Sequence, residues 1–229
     1  MNGDREAILG RVREALRVPA PRRHEVPAPL PAGAVTAPIR EWLPPVGDTI
    51  EDRVALFAQL SAMLKTEFHE CASIDEARER FATMARADGW KSVALHSGEL
   101  TDALSGALPP EVKQVRSDSG YDKAELEACE VGLTGCDSLV AQTGSICVTS
   151  RSAGGRALSV LPPHHVAIAR RSQLVADLPA AYEQLAATYG DAYPSFIGFI
   201  SGPSRTGDIE RILVLGAHGP KRVTVFLVP

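Results

Sequence analysis

A chain of 229 residues fits one domain with a tail, or at most two small ones. Its apolar fraction of 45% with 23% charged residues is ordinary for a globular protein. A net charge of −4 without a basic cluster argues against a nucleic-acid surface, and no apolar run approaches the roughly 20 residues of a membrane span.

Asp4 to Val18 places Ala7, Ile8, Val12, Ala15 and Leu16 at helical spacing. Charges interrupt this stretch, unlike the apolar core of a signal peptide, so a cytoplasmic location is expected. Eight prolines between Pro19 and Pro45 then predict an extended linker. The first helix is therefore tethered, and its docking place is open: the domain itself, a second copy in a homo-oligomer, or another protein. The expected organisation is helix 1–18, linker 19–48 and domain 49–229.

Within the domain, Glu51 to Thr66 and Ile74 to Ala87 repeat apolar residues at helical spacing. Glu67 to Ala72 and Ser92 to His96 read as strands, Glu99 to Leu108 as helix, Val112 to Val115 as strand and Asp122 to Ala128 as helix. Beyond residue 130 short strands follow at 130–133, 138–141, 145–149 and 166–169, then a helix at 179–189. A strand at 196–201, a short helix at 208–214 and a closing strand at 223–228 complete the chain. This order predicts an α/β fold, a largely parallel sheet flanked by helices with an inserted antiparallel section.

Cys71, Cys129, Cys136 and Cys147 lack the close spacing of iron–sulfur or structural zinc ligands, so no metal and no cofactor is expected. They read as reduced core residues, with a reactive thiol at Cys136 left open. The most suggestive segment is Ser201-Gly202-Pro203-Ser204-Arg205-Thr206-Gly207-Asp208, between an apolar run and an amphipathic one. As a strand-to-helix corner it would offer free backbone N–H groups, hydroxyls and the Arg205 fork to a small anion, with Asp208 as helix cap. A capped, solvated loop is the alternative at this point.

Gln142, Thr143 and Gly144 form a turn that could face the same ligand, Gln142 either orienting it or satisfying turn backbone. The loop from Ser150 to Leu158, with Arg151, Gly154, Gly155 and Arg156, either closes over an anion or stays solvated. His164 and His165 point to opposite faces of a strand and are poor joint ligands for one metal; His164 is either a lone polar residue or the one facing the cleft, and His218 in its Gly-flanked turn either caps the preceding helix or reaches the same cleft. No nucleophile–base–acid set and no Gly-rich nucleotide fingerprint appears.

Ile200 to Glu210 and Leu213 to Pro220 resemble the signature of the lactate utilization protein C family, as do Thr134 to Asp137, Ala141 to Gly144 and Leu161 to Pro163. The resemblance runs from about residue 130 to the last residue and covers the upstream half in layout only. It implies a lactate utilization domain with the fold of CoA transferases, ribose-5-phosphate isomerase and glucosamine-6-phosphate deaminase. It also implies an accessory role in oxidising L-lactate to pyruvate beside two partners that carry iron–sulfur clusters. Members of that family often have Glu at the position of Gln142, and an amide cannot replace a carboxylate nucleophile. Two rival readings are a self-sufficient isomerase or acyl-transfer enzyme, with His164, Asp137 or His218 as acid or base, and a non-catalytic scaffold.

Overall fold

The computed structural model describes residues 2–15, 17, 43–118, 120–206, 214–216 and 218–229. Residues 1–43 and 44–229 form two units. The first holds helix α1 (Asn2–Ala15), on which Ile8 and Val12 are exposed. Most of the expected linker lies outside the described residues.

The second unit opens with α2 (Ile50–Leu64). Its start follows from chemistry: Thr49 accepts from the Asp52 N–H, and Asp52 accepts in return from the Thr49 backbone. Lys65 ends the helix in the left-handed region and turns the chain into β1 (Thr66–Glu70). Ser73 caps α3 (Ile74–Asp88), which leads to β2 (Ser92–Leu95), α4 (Glu99–Ser105), β3 (Lys113–Arg116), α5 (Lys123–Glu127) and β4 (Val131–Thr134). Then come β5 (Ser138–Val140), a tight turn at 141–143, β6 (Ser145–Thr149) and β7 (His164–Arg170). The chain closes with β8 (Leu174–Val175), α6 (Leu178–Tyr189), β9 (Ile197–Ile200), β10 (Arg205–Thr206), β11 (Val214–Leu215) and β12 (Arg222–Val228).

Six strands make one all-parallel sheet in the order β1-β12-β7-β4-β2-β3. A mixed sheet, β8-β5-β6-β9, is the inserted section that the sequence predicts. Parallel strands buried on both faces need apolar centres, which residues 166–169 of β7 and 225–228 of β12 supply, with His164, His165 and Thr224 as buried polar exceptions. One face packs Val93, Leu133, Ile168 and Phe226 on Ala77, Phe81 and Leu104 of α3 and α4. The other packs Ala167, Val225 and Leu227 on Phe57 of α2 and on Leu139 and Ile146 of the mixed sheet. Burying each Leu or Phe side chain contributes about 1.5–3 kcal/mol.

The chain order creates one switch point. From β2 the chain steps outward to β3, then returns to the other side of β2 as β4, so the connections at the carboxyl ends of β2 and β4 diverge. In open α/β sheets such a divergence leaves a crevice.

Candidate functional site

The loops after β2, β3 and β4 meet at that crevice. His96 Nε2 accepts the Gly135 N–H at 3.2 Å, tying the end of β2 to the end of β4. The same ring lies 3.0 Å from the Ser97 carbonyl through Nδ1. The two contacts, one at each ring nitrogen, fix the orientation of the imidazole. The Ser97 hydroxyl donates to Asp118 at 2.5 Å and receives Arg116 Nη1 at 3.0 Å, while Arg116 also binds Asp102 at 2.8 Å. The Ser97 hydrogen bond holds the Asp118 carboxyl below its ordinary range, and Arg116 does the same for Asp102.

The loop from Ser150 crosses this edge. Gly154, at φ +62°, presses on His96: a Cβ there would stand 2.2 Å from the His96 Cβ. Ser117 donates to the Gly154 carbonyl at 2.9 Å. Asp137 fastens the start of the loop, taking the Ser152 hydroxyl and the Tyr189 phenol at 2.5 Å each. With both carboxylate oxygens engaged, Asp137 anchors the loop to α6. Burial and that hydrogen bond raise the Tyr189 pKa.

Beside Gly155 opens a cavity of about 490 Å³ lined by Tyr121, Ser150, Arg156, Val160, Ser195 and Phe196 among others. Arg156 lies over the Phe196 ring, 5.2 Å from its centroid, and has no carboxylate partner among the described residues. Its guanidinium edge is thus held in place by a ring face while its N–H groups stay available.

The sequence-predicted residues lie elsewhere. Gln142, Thr143 and Gly144 do meet the 201–205 segment, with Ser145 and Ser201 hydroxyls 2.7 Å apart. The meeting place is the last turn of α2, next to the amino end of β1. Gly144 backs onto Leu60 and Leu64, Gly202 onto the Leu64 carbonyl, and Arg205 donates to that carbonyl. Gln142 gives its amide to the Pro44 carbonyl at 3.0 Å, and the Ser204 N–H goes to the Pro220 carbonyl at 2.8 Å. The physical reason is sheet membership. Strand β9 pairs antiparallel with β6, so its end is not the carboxyl end of a parallel strand. Arg205 and Thr206 continue as strand, paired with Leu215 and Val214, where the sequence suggested a turn leading into a helix at 208–214. Asp208, the expected cap, lies outside the described residues.

His164 is a core residue at the start of β7: 6% exposed, 2.8 Å from Thr224 Oγ1 and edge-on to Trp90. Burial lowers its pKa to about 4. His165, fully buried and 2.9 Å from Thr134 Oγ1, is lowered to about 3 by burial and then by the His164 charge. His218 is exposed in the turn before β12. All four cysteines are free and buried. Burial pushes the Cys136 thiol far up and Cys147 to about 11, so neither supplies a thiolate near neutral pH. Among the described residues no group of three His, Cys, Asp or Glu is placed to hold a metal ion.

Sequence reasoning missed His96, Ser97, Arg116 and Asp118. The available signal was positional: each pair of polar residues ends or directly follows a strand whose neighbours alternate with helices.

Residues 54–228 match the family model of the LUD domain. Among curated proteins, the chain is 38% identical to Lactate utilization protein C of Shouchella clausii over 112 residues, 48% of this chain and 49% of that one. It is 36% identical to that of Deinococcus radiodurans over 115 residues (50% and 53%), and 29% identical to that of an Exiguobacterium species over 189 residues (80% of each). The matches thus span about half the length of the first two relatives. A crystal structure of a DUF162 family protein from Deinococcus radiodurans has the same fold, with a TM-score of 0.60 at 22% identity over 80% of this chain and all of that one.

Proposed function

The chain belongs to the LUD domain family, and from that premise we propose that it serves lactate utilization as a subunit that binds an organic anion at the carboxyl edge of its parallel sheet. Electron transfer would fall to iron–sulfur partner proteins, as the lactate utilization protein C resemblance implies. The relatives' name supports the process, and Arg156 carries the anion reading. It is a cation without a carboxylate partner among the described residues, set at a cavity beside the β2/β4 crevice. Ser150 and Ser195 add hydroxyls to the same wall. The interlocked His96, Ser97, Arg116 and Asp118 fix the loop ends that frame this edge, which gives the site the rigidity a binding wall needs.

The position of Gln142 also supports a role without covalent acyl transfer. Its amide is spent on the Pro44 carbonyl. The test is an omission assay. Lactate-dependent reduction of an electron acceptor is measured with the iron–sulfur proteins, with and without this chain. The rate should fall sharply on omission; an unchanged rate overturns the proposal.

A further inference from the structure

The cavity is built for more than a charge. At about 490 Å³ the cavity lies in the range of ordinary small-molecule pockets, roughly 300–1,000 Å³, more than a six-heavy-atom occupant such as lactate needs. The rest of the lining is apolar: Phe196 below Arg156, and Ala157, Val160 and Leu161 along one wall. Tyr121 and Val160 stand at the cavity 44% and 40% exposed, two of the larger apolar side chains that the described residues leave in solvent. Apolar surface gathered around a cavity and rimmed by polar groups marks a ligand site more often than chance exposure does.

The polar groups are few and directional. The Ser195 hydroxyl lies 3.3 Å from Ser150 and donates to it, which leaves the Ser150 proton free to face a ligand oxygen. Arg156 supplies the charge. Two donors set among ring and aliphatic surface describe an amphipathic guest.

We propose that the occupant of this cavity is a carboxylate carrying an aromatic or acyl body, its head on Arg156 and Ser150 and its body against Tyr121, Val160 and Phe196. This rests on the anion site proposed above and names the class of molecule that site takes. Lactate itself, which has the head and lacks the body, would be a weak ligand here.

Calorimetry on the full chain with L-lactate and 3-phenyllactate tests it, because the two share a head and differ in the body. Phenyllactate should bind at least tenfold more tightly. Arg156→Ala should weaken phenyllactate about fivefold. Tyr121→Ser and Val160→Ser, both at exposed positions, should each remove much of the preference while leaving the unfolding midpoint near wild type. Equal affinity for the two acids, both weakened by Arg156→Ala, overturns this inference and leaves the anion site standing. Binding of neither acid, or binding indifferent to Arg156→Ala, overturns the anion site and this inference with it.

Discussion

Lowering the pH from 8 to 5 should strip this domain of a large share of its stability through two adjacent histidines. His164 and His165 are buried at 6% and 0% exposure and stay neutral in the fold down to about 4 and about 3. In the unfolded chain a histidine takes up its proton near 6.5. Below that value the unfolded state binds more protons than the folded one, so stability falls with pH until the folded values are reached. At pH 5 each histidine removes roughly 2 kcal/mol relative to pH 8, about 4 kcal/mol together. That compares with a total of about 5–15 kcal/mol for a typical domain. Half-buried His69 shifts in the same direction. The carboxylates held low by hydrogen bonds, such as Asp118 and Asp102, lose their contribution only below the ordinary carboxylate range, so the window from 6.5 to 5 belongs to the imidazoles. Urea unfolding at pH 8, 7, 6 and 5 should show the midpoint dropping by roughly 1–4 M, given slopes of about 1–3 kcal/mol per molar. His165→Gln should flatten that drop by about half. Equal midpoints at pH 8 and pH 5, or an equally steep fall in His165→Gln, would refute the reasoning.

Two further outcomes follow from the placement of the loops. Arg156→Ala should weaken binding of a carboxylate ligand by about 1 kcal/mol, the modest value expected of an exposed charge, whereas Arg205→Ala should leave affinity alone because that side chain serves Leu64. Titration calorimetry decides; a larger loss in Arg205→Ala would return the anion to the 201–206 segment. Gly202→Ala should destabilise the fold by about 2–4 kcal/mol, since φ +84° opposes a side chain and a Cβ would stand 2.4 Å from the Leu64 carbonyl oxygen. Gly89→Ala, at φ +66° with open space around it, should cost only about 1 kcal/mol. Equal unfolding midpoints for the two variants would show that the close approach to Leu64 is not real.

Much of the architecture was legible in the sequence because its causes are local. The spacing of Val54, Phe57 and Ser61 makes α2 amphipathic, Thr49 and Asp52 start it, and the apolar run 145–149 is a strand with the expected bounds. The alternation of such elements was enough for a parallel sheet with an antiparallel insertion. Which sheet a strand joins is another matter. Phe196 to Ile200 reads as an apolar strand in either setting, and only its pairing with β6 decides that the following corner is not the mouth of the parallel sheet. The same holds for side chains. Arg205 looks like a free anion hook until Leu64, 141 positions away, takes it, and the contacts of His96 and Ser97 unite residues from three separate strand ends. Periodicity and capping are properties of neighbours along the chain. Pairing, and therefore the site, depends on contacts between distant segments that no local pattern encodes.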